Sequence, residues 1–201
     1  DTASDKTSKQ IALFEQLVAN LEGELSMANS SAILNWPQAH TTWIRPGITL
    51  YGVSPFKNKS APKLNLKPVM TLTARIRTIH ELEKGETVGY GSTFACPEKM
   101  RVGIASIGYG DGYPRNAKTG TPVLVNGIRT QLIGRVAMDM IGIDLRPIQN
   151  AKIGNSVTLW GRRLPVEEIA AATGEYQYEL LSRLTSRVHY QFYQHSADLK
   201  I

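Results

Sequence analysis

Tyr90 is the residue whose setting in this sequence most favours chemistry. It lies between Gly89 and Gly91, so its backbone is free to turn on both sides and no adjacent side chain shields its phenol. A free phenol has a pKa of about 10, so it needs positive neighbours or hydrogen bonds to its anion before it can act as a base. Taken alone, the pattern fits an ordinary turn tyrosine, and the chemical interpretation depends on the other motifs.

Two helix starts follow consecutive short strands near the beginning of the chain. Ser30 offers a hydroxyl at the first, and Gly47 and Ile48 offer backbone N–H groups at the second. In parallel α/β barrels the active site lies at the carboxyl ends of the strands, where a phosphate often binds at a helix N-terminus. These residues suit a phosphate cradle, but alone they favour a simpler interpretation in which Ser30 caps a helix and Gly47 forms a turn.

A third motif is the glycine-rich run GYGDGYPR at 108–115, which follows a strand-like segment. So many glycines indicate close approach of the backbone to another group. Arg115 at its end could steer a carboxylate towards an entrance. A surface ion pair is an equally good interpretation of Arg115 and of Arg135.

Composition limits the classes of function. The chain has 201 residues and a formal charge of +6, but its basic residues are scattered, which argues against nucleic acid as a partner. No apolar run approaches the ~20 residues of a membrane helix. Cys96 is the only cysteine, which predicts a reducing, cytoplasmic setting and an unreactive surface thiol. Four dispersed histidines, His40, His80, His189 and His195, predict no metal site.

The first part of the chain alternates strand, loop and helix. Apolar residues recur at three and four over 7–22, which predicts an amphipathic helix. Short strands are expected at 25–28 and 41–44, with a short helix between them that begins at Asn29-Ser30. This alternation is typical of a parallel α/β unit. We therefore expect residues 1–60 to be the C-terminal part of a TIM-type α/β barrel.

A polar, proline-containing linker at 54–67 precedes a change to β-strand patterns. Residues 69–78 alternate with period two, and Asn126-Gly127 between strand formers predicts a hairpin. Further strands are expected at 102–107, 140–145, 156–160 and 188–193, and helices at 165–174 and 178–184. The predicted fold is α+β, with a mostly-β, barrel-like domain over 61–201.

Five motifs together resemble the C-terminal half of bacterial alanine racemase, of the proteobacterial type. They are SMANSSA at 26–32, WIRPGITLYG at 43–52, VGYGST at 88–93, IGYGDGYPR at 107–115 and GRVAMDM at 134–140. Their order and spacing match the family from about Ile11 to Phe192.

The resemblance implies a pyridoxal-phosphate (PLP) enzyme that acts on alanine to make D-alanine for peptidoglycan. It implies a homodimer whose active sites are shared between subunits. The roles it assigns are these: Tyr90 as a catalytic base in the partner's site; Ser30, Gly47 and Ile48 on the cofactor phosphate; Arg45 on the pyridine nitrogen; Met138 and Tyr109 at the substrate; and Arg115 and Arg135 along the entrance.

The lysine that binds the cofactor is expected in an N-terminal half, and no lysine here lies in a matching motif. The chain begins without methionine, so we expect a fragment that is inactive and holds no PLP by itself. Two alternatives come from the residues. One is a β-barrel binding module that stacks RNA bases on exposed tyrosines, and the other is a dimerisation domain without chemistry.

Overall fold

The structure, a computed structural model, describes residues 5–56 and 58–193. The chain forms two compact units, with the boundary between Met70 and Thr71. In the described part of the chain, no helix combines the length and the apolar character of a membrane span.

The first unit is built around a pair of parallel strands. Its elements are α1 (Lys6–Val18), β1 (Ser26–Asn29), α2 (Ser30–Asn35) and β2 (Trp43–Arg45), with 3-10 turns at Pro37–Ala39, Ile48–Tyr51 and Ala61–Leu64. Ser26 pairs with Trp43 and Asn29 with Arg45, and both strands run in the same direction. The predicted strand–helix–strand alternation is therefore confirmed.

Helix α1 ends four residues earlier than predicted and buries less. The helix was predicted to be amphipathic, but Ile11 is its only residue that is buried. Ile11 packs with Ala28 and Ala39 in a small cluster. Leu17, by contrast, is 68% exposed. The 3.6-residue period identified the helix, but it does not reveal how much of the stripe is covered within these residues.

The second unit contains a closed antiparallel barrel of six strands. They follow one another around the barrel in the order β10 (Ser156–Trp160), β3 (Leu72–Leu82), β6 (Met100–Ala105), β9 (Ile141–Asp144), β8 (Ile128–Ile133) and β7 (Pro122–Val125). Its interior is filled by fully buried side chains that include Ile76, Leu132, Ile143 and Trp160. A separate hairpin, formed by β4 (Thr87–Val88) and β5 (Phe94–Ala95), carries Tyr90 in its turn. The mostly-β, barrel-like prediction is confirmed.

Local signals placed several elements correctly. Asn126 and Gly127 have φ of 48° and 79° and connect β7 to β8, which is the two-residue turn that an Asn-Gly pair favours. Helix α3 (Val166–Thr173) has Glu167 and Glu168 in its first turn and ends at Gly174. It is followed by α4 (Gln177–Ser182).

Two predictions are wrong. Residues 188–193 form no strand. Cys96 is buried rather than exposed, in a cluster with Val88, Met100 and Ile133. Burial, and then the nearby Glu86 carboxylate, raise the pKa of the Cys96 thiol. The polar loop after Cys96 suggested exposure, but the strand end that carries it packs against the barrel.

Asp144, buried at the end of β9, gives a pH-dependent contribution to stability. Burial alone would raise its pKa, but hydrogen bonds from the Arg146 backbone N–H and guanidinium lower it overall. Because the folded pKa is below the unfolded one, this stabilisation is present above about pH 4 and is lost as pH falls further.

We therefore expect Asp144→Asn to lower the unfolding temperature of the whole chain at pH 7. The difference in unfolding temperature between the variant and wild type should become smaller below about pH 4. Asp139→Asn, at an exposed carboxylate, is the control and should change little. If the unfolding temperature of Asp144→Asn stayed below that of wild type by the same amount from pH 7 to pH 3, the pH-dependent contribution assigned to Asp144 would be contradicted.

Candidate functional site

The first unit gathers backbone N–H groups around the Ser30 hydroxyl. Gly47 N–H donates to Ser30 Oγ at 2.8 Å, and Thr49 N–H reaches the same oxygen at 3.5 Å. Thr49 Oγ1 lies 3.1 Å from it. Ser30 and Ile48 are both buried. Ser30, Gly47 and Ile48 are therefore neighbours, at the carboxyl end of β1 and the start of the 3-10 turn.

Asn29, not Ser30, caps helix α2. Its side-chain oxygen accepts from Ala32 N–H at 3.1 Å, while Ser30 is the first residue of the helix. The simpler interpretation, in which Ser30 serves as the cap, is thus wrong. Its hydroxyl is directed to the 47–49 segment instead, where it meets two backbone N–H groups and the Thr49 hydroxyl. Such a set of N–H and O–H groups fits a phosphate.

Arg45 lies at the end of β2, and its guanidinium contacts the carboxyl end of β1. Nη1 donates to Ser26 O at 2.7 Å and to Ser26 Oγ at 3.0 Å, and Nη2 donates to Met27 O at 3.1 Å. These bonds use three of the five guanidinium hydrogens. Nε–H and one Nη2 hydrogen form no hydrogen bond with the described residues, so the side chain is anchored and still has donors to offer.

In the second unit, the β4–β5 hairpin presents Tyr90. Val88 is buried in the cluster with Cys96 and Ile133, so the base of the hairpin is fixed to the barrel. Gly89, Gly91 and Ser92 then all adopt positive φ, at 78°, 72° and 51°. This tight turn leaves Tyr90 73% exposed, with its phenol held outward on a fixed base.

The hairpin lies on the segment that follows β8. A Cβ on Gly134 would be 2.8 Å from Val88 O, and a Cβ on Gly89 would be 3.0 Å from Arg135 N. The Arg135 guanidinium lies beside Gly91, with Nη1 3.5 Å from a Cβ built there. Both glycines are therefore required by close backbone contact, and Arg135 is adjacent to the Tyr90 turn.

The glycine-rich loop packs against the loop that carries Met138. Tyr109 N–H donates to Ala137 O at 3.0 Å, and Gly110 N–H donates to Met138 O at 2.8 Å. A Cβ on Gly108 would lie 2.2 Å from Ala137 O, which no side chain tolerates. The Arg115 guanidinium stands over the Tyr109 ring at 5.3 Å from its centroid.

These two loops and the hairpin surround one cavity of about 890 Å³ in the second unit. All five site residues predicted in this unit line it: Tyr90, Tyr109, Arg115, Arg135 and Met138. Among the other lining residues, Lys118 adds a third cation and Asp139 a carboxylate. The excess of cations suits a small anionic ligand such as a carboxylate.

Sequence reasoning missed the stretch 116–119, which also lines the cavity. Its signal was weak, because Asn116, Lys118 and Thr119 look like an ordinary polar loop. Thr119 has a specific contact, since its Oγ1 accepts from Gly134 N–H at 3.0 Å. In the described part of the chain, no group of three or more His, Cys, Asp or Glu side chains could hold a metal ion, and His195 lies outside that part.

Comparison with known proteins gives two family matches. The family described as "Alanine racemase, C-terminal domain" matches residues 69–192, and "Alanine racemase, N-terminal domain" matches residues 1–55. The first match alone covers more than half of the chain.

Individual relatives agree. Alanine racemase of Vibrio cholerae serotype O1 is 49% identical over 187 residues, which are 93% of this chain and 52% of that protein. The biosynthetic alanine racemase of Pseudomonas aeruginosa has a similar structure, with a TM-score of 0.85 and 48% identity over 90% of this chain and 51% of that one. The alanine racemase of Bartonella henselae, solved with covalently bound pyridoxal phosphate, has a TM-score of 0.83 and is 30% identical. The match covers 93% of this chain and 52% of that one. The chain thus spans about half the length of the relatives it matches.

Proposed function

Since this chain belongs to the alanine racemase family, we propose that the protein carrying it interconverts L-alanine and D-alanine with PLP as cofactor. The observation that best supports this is the convergence of the Tyr90 hairpin, the Tyr109 loop and the Met138 loop on one cavity. The D-alanine produced would supply peptidoglycan precursors in the cytoplasm.

Racemisation requires two acid/base groups, because one face of Cα loses a proton and the other gains one. Tyr90 suits one face: its phenol is exposed at the cavity on a turn whose base is fixed by Val88. The second group would be the lysine that the family resemblance places in the other half of the enzyme. PLP, when bound, supplies the electron withdrawal that makes the Cα proton acidic.

The Ser30 cluster would hold the PLP phosphate. The Gly47 N–H now donates to the Ser30 hydroxyl and could donate to a phosphate oxygen in its place, with Ser30 as a further donor. Ile48 is a buried residue that follows at the start of the 3-10 turn, and its backbone N–H would also donate to the phosphate.

Arg45 would hydrogen-bond the pyridine nitrogen through a donor that its strand-end bonds leave over. Because a guanidinium does not give up its proton, Arg45 would leave that nitrogen unprotonated. An unprotonated ring withdraws electrons less strongly than the pyridinium that a carboxylate would create. We expect the benefit to be fewer side reactions such as transamination.

Substrate binding would use the carboxylate of alanine. Met138 would offer its backbone N–H, and Tyr109 would line the inner entrance beneath the Arg115 guanidinium. Arg115 and Arg135 would draw the carboxylate inward. We further propose that the enzyme is a homodimer in which Tyr90 of one subunit serves the PLP held by the other.

The RNA-binding alternative is less well supported. A stacking platform needs aromatic side chains spread over a strand face with basic residues between them. Tyr90 and Tyr109 lie instead in 3-10 turns that converge on a concave cavity. A salt-dependent shift of an oligonucleotide by this chain would revive that alternative.

The proposed function is tested by incubating the whole protein and PLP with L-alanine. We expect D-alanine by chiral chromatography, and a visible absorption band of bound PLP that excess hydroxylamine removes. A protein that shows neither the band nor D-alanine would contradict the proposal.

Gly134 offers a sharper mutational test. At both Gly134 and Gly174 φ is +74°, so alanine at either position costs about 1 kcal/mol of backbone strain. Only at Gly134 does the new Cβ meet a neighbour, the Val88 carbonyl at the base of the Tyr90 hairpin. We expect Gly134→Ala to lower kcat/KM by about tenfold or more, because displacement of a catalytic group by an ångström is costly.

Gly174→Ala is the matched control, since nothing lies within 4 Å of its Cβ. Its kcat/KM should stay close to that of wild type. Equal decreases of kcat/KM in the two variants would show that backbone strain, and not the position of the hairpin, determines the effect.

A further inference from the structure

The glycine-rich loop is held by a carboxylate that the reaction itself does not use. Asp111 is buried, and its two side-chain oxygens have different partners. Oδ2 accepts from Gly108 N–H at 2.8 Å, which closes the turn that carries Tyr109. Oδ1 accepts from Arg187 Nε at 2.9 Å, which links the turn to the segment after α4.

Thr185 provides two more links to the same loop. Its hydroxyl donates to Gly110 O at 2.9 Å, and its backbone N–H donates to Asp111 O at 3.2 Å. Just before it, Arg183 Nε donates to Gly112 O at 3.0 Å. The segment 183–187 therefore reaches three successive residues of the loop.

The opposite side of the loop is in contact with the Met138 segment. A Cβ on Gly110 would be 2.9 Å from Met138 O, and one on Gly112 would be 2.6 Å from Arg183 O. The loop is thus packed between two backbone segments with no room to shift towards either. Movement of residues 183–187 would be transmitted to Tyr109 and Met138.

We propose that Asp111, Arg187 and Thr185 are positioning residues that set the places of Tyr109 and the Met138 backbone for binding the substrate carboxylate. The proposal rests on the proposed function, because it names what holds two groups of that site. Their hydrogen bonds are made at Gly108, Gly110 and Asp111, the residues that flank Tyr109. A bond that stabilised only the barrel would have no reason to be placed there.

Three variants of the whole enzyme test this role. Asp111→Asn keeps an oxygen for Gly108 N–H and removes the charge that Arg187 binds. Arg187→Gln breaks the same ion pair from its half-exposed side, with less risk to folding. Arg187→Lys keeps a cation and serves as the conservative variant.

We expect Asp111→Asn and Arg187→Gln each to raise KM for alanine by about tenfold, with a smaller change in kcat. The groups that they displace bind the substrate but do not carry its proton. The double variant should be no worse than either single one, since both remove one ion pair. Arg187→Lys should recover part of the KM.

Asp144→Asn is the control. It removes the charge of another buried carboxylate that is paired with an arginine, Arg146, but that pair has no hydrogen bond to the loop. It should lower stability and leave KM unchanged. If it raised KM as much as Asp111→Asn, a general loss of stability would explain both and the proposal would be overturned.

Hydrogen–deuterium exchange on the PLP-free protein gives a readout without turnover. Amides of residues 108–112 should exchange faster in Asp111→Asn and Arg187→Gln than in wild type or Asp144→Asn. Unchanged exchange, or faster exchange with KM within about twofold of wild type, would overturn the proposal. If wild type does not act on alanine at all, the proposed function has failed, and the exchange data still decide whether Asp111 and Arg187 hold the loop.

Discussion

Replacement of Tyr90 by phenylalanine in the whole enzyme is expected to lower racemisation by about 10²- to 10⁴-fold. Phenylalanine keeps the ring and the turn but removes the hydroxyl that we propose exchanges a proton with one face of Cα. Because the two enantiomers have equal free energy, kcat/KM must fall equally in both directions. The rate should be measured from L-alanine and from D-alanine by chiral chromatography.

Exchange of the Cα hydrogen with solvent separates the two faces. In Tyr90→Phe we expect deuterium from heavy water to enter one enantiomer, because the acid/base group proposed for the other face is intact. Deuterium should not enter the opposite enantiomer. A variant that lost the cofactor or the fold would stop exchange in both.

Tyr176→Phe is the matched control for Tyr90→Phe. Tyr176 is 76% exposed, close to the 73% of Tyr90, and it does not line the cavity. Its turnover should equal that of wild type. Undiminished turnover in Tyr90→Phe would mean that the wrong residue has been assigned to this face.

The second large effect is expected at the Ser30 cluster. Ser30→Asp would place a carboxylate where the PLP phosphate is proposed to bind, and its oxygens would accept the Gly47 N–H themselves. Repulsion between like charges at close range should weaken PLP binding by about a hundredfold or more. Ser30→Ala removes only the hydroxyl and should weaken PLP binding by about tenfold.

PLP affinity can be measured directly by absorbance titration of the PLP-free protein, without reference to turnover. Ser31→Asp is the control, because it adds the same charge one residue along, still in the first turn of α2, where a carboxylate is favourable. It should bind PLP as wild type does. Equal losses in Ser30→Asp and Ser31→Asp would contradict a cradle centred on Ser30.

Features fixed by a few adjacent residues could be predicted from the sequence. The Asn126-Gly127 turn and the Gly174 end of α3 were predicted because positive φ selects these residue types locally. The parallel β1–β2 pair followed from two short strands separated by a capped helix. Each of these signals depends on neighbours within a few positions.

Features that depend on distant residues could not be predicted in this way. The barrel closes because β10 pairs with both β3 and β7, and nothing in those strands alone specifies such partners. Residues 188–193 have the alternation of a strand but pair with none, while Thr185 and Arg187 just before them bond to the 108–112 loop. The contact between Gly134 and Val88 joins positions 46 residues apart, so the sequence offered only two unremarkable glycine turns.

The site shows the same division. Motif resemblance named the residues, but their roles depend on neighbours that the residue types do not reveal. Arg45 is one example, since its bonds to Ser26 and Met27 leave it only part of its donors for a cofactor. Lys118 is another, because a lone lysine in a polar loop gives no sign that it lines the cavity.

Mixed dimers of Tyr90→Phe and Ser30→Asp test most directly whether each active site combines two subunits. When the two variants are co-expressed with separate tags, half of the dimers should be mixed. One of the two sites in each mixed dimer would have both an intact cradle and an intact Tyr90. We predict racemase activity of about a quarter of wild type in the mixture, where each variant alone is nearly inactive. Activity no greater than the mean of the two separate variants, with mixed dimers shown to be present, would contradict a site to which one subunit lends Tyr90 and the other the phosphate cradle.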